Sequence, residues 1–146
     1  MPSDQPAWKE FSITFKDGVE LKGWRYSSED KKAPSDTKST EKHRILCWHG
    51  WMDNCNTFWN MTPILINELP ELDLVALDFP GHGRSSHKSL DGPSVLLMDY
   101  VYYVHEVLLA LKWSPEETTL IGHSMGAAIS LMYSAAFPVK KLILLD

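Results

Sequence analysis

The run Gly122-His123-Ser124-Met125-Gly126 decides how the rest of the chain reads. Before it, Thr118-Thr119-Leu120-Ile121 is β-branched and apolar, the composition of a short buried strand. After it, Ala127-Ala128-Ile129-Ser130-Leu131-Met132-Tyr133 suits a helix with small residues in its first turn. A strand, a G-x-S-x-G turn and a helix together make a sharp elbow that lifts one side chain into the open. The glycines let the turn close and the helix pack against the strand. Ser124 is therefore the candidate nucleophile. The flanking strand and helix carry that assignment, since five residues alone match by chance.

A serine hydroxyl reacts only when a base takes its proton and donors receive the developing oxyanion. One donor should be the backbone N–H of Met125, at the start of the helix, where the dipole also helps. The other should come from His49-Gly50-Trp51-Met52-Asp53-Asn54, which follows the apolar strand Ile45-Leu46-Cys47-Trp48. The backbone N–H of Trp51 is the candidate there, with Gly50 letting the chain approach a substrate and His49 orienting the loop. Asp78-Phe79-Pro80-Gly81-His82-Gly83-Arg84-Ser85 is dense in turn residues and follows the strand Leu72 to Leu77. It falls on the rim where α/β sheets bind ligands, and a structural role suits it better than a catalytic one. His49, Gly50, Asp53, Asp78 and His123 are the expected rim of the site.

Working outward, Phe11–Phe15 and Val19–Tyr26 flank Lys16-Asp17-Gly18, a hairpin signal. Ser27 to His43 is polar and nearly free of large apolar side chains, so a flexible surface insertion is expected there. Thr62 to Leu69 reads as a short helix capped by Thr62, with Pro63 in its first turn. Val95 to Leu111 places Leu97, Val101, Val104, Leu108 and Leu111 at helical spacing, with Ser94 as cap. Lys141 to Leu145 is a last strand. Strands apolar on both faces alternate with helices, which predicts an α/β fold: a mostly parallel sheet of about six strands, covered on two sides.

The chain has 146 residues, 44% hydrophobic and 23% charged, enough for a single domain with its own core. A net charge of −5, with scattered basic residues, excludes an electrostatic footprint for nucleic acid. No stretch approaches a membrane span, and Met1 to Pro6 has neither the charge nor the apolar run of a signal peptide. Two cysteines, Cys47 and Cys55, are too few for a disulfide framework, and Cys47 reads as a small buried hydrophobe. A cytoplasmic setting is expected. The six histidines repeat no ligand spacing, so no metal is expected, and the motifs imply no organic cofactor.

An HGW-x-DN loop, a D-x-PGHG-x-S segment and a GHSMG elbow, in that order, resemble the α/β-hydrolase superfamily. Within it they most resemble the serine hydrolase-like proteins, and the agreement runs from about Arg44 to Asp146. The resemblance implies an eight-stranded sheet and hydrolysis of a small-molecule ester or similar acyl compound through an acyl-serine intermediate. Relatives that open epoxides or remove halogens carry aspartate at the elbow, whereas this chain has Ser124.

The superfamily orders its triad serine, acid, histidine along the chain. Every histidine here precedes Ser124, and Asp146, which some members' spacing makes a candidate acid, lies 22 residues beyond it. The family's last two strands, helical cap and histidine loop have no counterpart. The expectation is an incomplete hydrolase fold, the N-terminal portion of a longer protein, inactive or nearly so as this chain. The alternative is a non-catalytic protein that keeps the elbow as scaffold and binds a ligand or partner.

Overall fold

The structure is a computed structural model describing residues 8–31 and 41–146. Its elements in chain order are strands β1 (Lys9–Thr14), β2 (Glu20–Ser27), β3 (His43–Trp48), helix α1 (Thr62–Glu68), β4 (Leu72–Leu77), α2 (Leu97–Leu111), β5 (Thr118–His123), α3 (Met125–Ala136) and β6 (Lys141–Leu145). Short 3-10 turns occupy Ser28–Lys31, Cys55–Phe58 and Pro115–Glu117.

The strands form one sheet in the order β1-β2-β4-β3-β5-β6. The hairpin β1–β2 is antiparallel and joins β4 antiparallel; β4, β3, β5 and β6 run parallel. Gly18, at φ +84°, closes the hairpin as the Asp-Gly pair predicts. The parallel portion needs cover on both faces, and the side chains divide accordingly. Leu46 and Trp48 of β3, Val75 and Leu77 of β4 and Leu120 of β5 point to one face. There they meet Val104 and Leu108 of α2 and Ile129 and Tyr133 of α3. Ile45, Cys47, Leu74, Ala76 and Ile121 point to the other face, against Cys55, Phe58 and the half-buried Leu65 and Ile66 of α1. β4 is buried at all six positions. Among the described residues no helix is long and apolar enough to cross a membrane.

Three local expectations need correction. The cap of α1 is Met61, not Thr62, whose hydroxyl donates instead to the Phe58 carbonyl at 2.9 Å and is spent on the preceding turn. α2 begins at Leu97 with Leu96 as cap, not Ser94: the Asp99 carboxylate accepts the Leu96 N–H at 2.8 Å. Tyr100 rather than the exposed Leu97 then faces the core, because the ring fits over Phe79. The polar stretch is also structured at its ends. Ser27 belongs to β2, Ser27 and Ser28 are buried, and His43 opens β3, leaving 32–40 outside the described residues.

Candidate functional site

The carboxyl ends of β3, β4 and β5 converge on one rim, and each releases a turn whose residues the packing dictates. After β5 the chain reverses into α3 through Ser124, which holds φ 51° and ψ −114°. A non-glycine residue in that region carries strain of about 1–3 kcal/mol and persists only where its surroundings force it. The forcing contacts are visible. A methyl group at Gly122 would overlap the Gly126 carbonyl, and one at Gly126 would overlap the Trp48 carbonyl. The helix thus lies directly on β5 and on the end of β3. Ser124 donates its N–H to the Leu145 carbonyl of β6 at 2.9 Å, while its own carbonyl accepts from Ala127 and Ala128. Its side chain makes no capping bond and is exposed. The Met125 N–H is the first in α3, one that no helical carbonyl can satisfy.

The turn after β3 lies beside it. A methyl at Gly50 would sit 3.2 Å from Ser124 Cβ and 3.2 Å from His123 Nδ1. His49 is fully buried and uses both ring nitrogens. Nε2 accepts the Phe79 N–H at 2.9 Å, so Nδ1 carries the proton and donates to the Gly50 carbonyl at 2.7 Å. Burial pushes the His49 pKa below its ordinary value, against the Gly50 bond, which favours the charged ring. A trans peptide is planar, so pulling the Gly50 carbonyl one way turns the Trp51 N–H the other way. Met52 follows in the left-handed region at φ 55°, a kink that composition does not announce. Asp53 accepts the Asn54 N–H at 2.8 Å and brings its other oxygen to 3.8 Å from His123 Nδ1. Asn54 in turn caps the Cys55–Phe58 turn through the Asn56 N–H.

Asp78 ends β4 buried, and its carboxylate accepts from Cys55 N–H at 2.7 Å and Arg84 N–H at 2.9 Å. Ser85 Oγ donates to the Asp78 carbonyl at 2.6 Å and accepts the Lys22 N–H at 2.9 Å. These bonds tie the rim turn to the loop after β3 and to β2. His82 packs against His49, Trp51 and Tyr100, a ring cluster that no sequence motif signals. Asp146 is exposed, one residue past β6 and alongside the β5 end by register. Among the described residues, no group of three His, Cys, Asp or Glu side chains is placed to hold a metal ion.

A family model described as alpha/beta hydrolase fold matches residues 43–146. The chain belongs to the α/β-hydrolase family. A probable serine hydrolase of Drosophila melanogaster is 34% identical over 145 residues, 97% of this chain and 38% of that protein. A human serine hydrolase-like protein is 41% identical over 104 residues, 70% of this chain and 48% of that one. A solved hypothetical protein of Pseudomonas aeruginosa superposes with a TM-score of 0.72 at 34% identity, over 94% of this chain and 43% of its own. This chain therefore spans less than half the length of each of these three proteins.

Proposed function

We propose that the chain carries the nucleophile and oxyanion half of a serine hydrolase for esters or similar acyl compounds. The single observation behind this reading is Ser124: exposed, strained at φ 51°, and set between β5 and α3. Ser124 Oγ would attack the carbonyl carbon while the carbonyl oxygen, gaining charge, accepts from the N–H groups of Trp51 and Met125. The alcohol then leaves with a proton, an acyl-serine remains, and water releases the acid. Asp146, on the same rim, is the candidate acid for orienting a base. Among the described residues no hydrogen bond joins Ser124 Oγ to a histidine. His49 has both nitrogens engaged, so turnover by these 146 residues alone should be very low unless a base is supplied. A cytoplasmic setting goes with the reading, in keeping with Cys47 and Cys55, both buried free thiols.

The test supplies the base from outside. With p-nitrophenyl acetate, imidazole should raise p-nitrophenol release by the 146-residue chain by roughly tenfold or more over its release by Ser124→Ala under the same conditions. Equal release by the two proteins at every imidazole concentration would overturn the nucleophile. It would favour a non-catalytic, ligand-binding member of the fold.

A further inference from the structure

A cleft of about 620 Å³ opens beside the Gly50–Trp51 peptide, walled by Trp51, Met52, Asp53, His82, Val95 and Tyr100. That volume falls within the roughly 300–1,000 Å³ of small-molecule sites. Resting on the reading of Ser124 above, we propose that this cleft seats the apolar portion of an uncharged substrate, with the Trp51 ring as its selecting wall.

Trp51 is 65% exposed, whereas Trp48, three residues earlier, is fully buried. The exposed ring is nevertheless seated: its edge meets His82 at 5.4 Å, and His82 rests on Tyr100 and the buried His49. A large apolar surface held in place yet uncovered gains most from a ligand that removes it from water. The charge of the wall narrows the choice. None of the described lining residues is Lys or Arg, and the neighbouring Arg84 turns to the Glu10 carboxylate at 2.7 Å. A carboxylate or phosphate would find neither lysine nor arginine here and would face Asp53. Trp51 joins the cleft to the site: its side chain is part of the wall, and the preceding Gly50 packs on Ser124.

Octanamide, octanoate and butanamide, titrated into the 146-residue chain and followed by NMR, test the proposal. Octanamide should shift the Trp51 indole and Tyr100 ring signals and bind at least about tenfold tighter than the other two. Trp51→Ala should weaken octanamide about tenfold, and Met52→Lys should raise octanoate selectively by placing a cation at the wall. Both side chains point outward, so each variant should keep the native spectrum elsewhere. Octanoate binding as tightly as octanamide, or octanamide binding insensitive to Trp51→Ala, would overturn the cleft assignment. If imidazole-dependent acetate release persists in that case, the Ser124 reading stands and only the subsite falls. Octanamide in the cleft without Ser124-dependent release would instead leave the cleft and remove the chemistry.

Discussion

Two turns on the same rim look alike on paper: Gly122-His123-Ser124-Met125-Gly126 after β5 and Gly81-His82-Gly83-Arg84-Ser85 after β4. Folded, they are opposites. The first is shaped by backbone overlap and leaves its serine exposed with no capping bond. The second is shaped by side-chain hydrogen bonds, with Asp78 and Ser85 both buried and partnered. A polar group whose bonds are all made inside the protein holds structure together, whereas one that the backbone strains to expose is available for chemistry.

The contrast can be broken in four ways, strongest first. Gly126→Ala should cost about 3 kcal/mol or more, because the added methyl meets the Trp48 carbonyl rather than a movable side chain; urea unfolding would show it. Asp78→Ala should cost about 2–4 kcal/mol by stranding the buried Cys55 amide and the part-buried Arg84 amide, in the same assay. The two serines should then move stability in opposite directions. Ser85→Ala should lose ~1–2 kcal/mol with its two bonds. Ser124→Gly should gain ~1 kcal/mol by relieving the positive φ, while losing any Ser124-dependent ester reaction. Equal losses at both would erase the distinction.

The smallest effect concerns His49, which links the two turns. Its buried ring resists protonation, so the unfolded chain binds a proton that the fold refuses. Stability should therefore fall as pH drops below about 6.5, then level off once the folded ring also charges. Urea midpoints measured from pH 7.5 to 5 should show a shallower slope in His49→Asn.

Much of this was legible from local pattern. The Asp17-Gly18 hairpin, the apolar strands and the elbow announce themselves because each depends on residues adjacent in sequence. What could not be read depends on partners far along the chain. Thr62 and Ser94 look like helix caps, yet Phe58 claims the first, and Asp99 starts α2 two residues later than the pattern suggests. Strand order escapes local reading too, as does the left-handed Met52 that kinks the loop after β3. The ring cluster of Trp51, His82 and Tyr100 joins residues up to 49 positions apart, so no motif length could contain it.

One bond has a consequence in time. The amide of Ser124 is held by the Leu145 carbonyl, which the ribosome adds 21 residues later. While the chain is being synthesised, β5 and α3 can form and pack, but the bend between them lacks its outer anchor until β6 emerges and docks. The bend between β5 and α3 is thus held from outside only once β6 has docked beside β5 and brought Leu142 and Ile143 onto the two faces of the sheet.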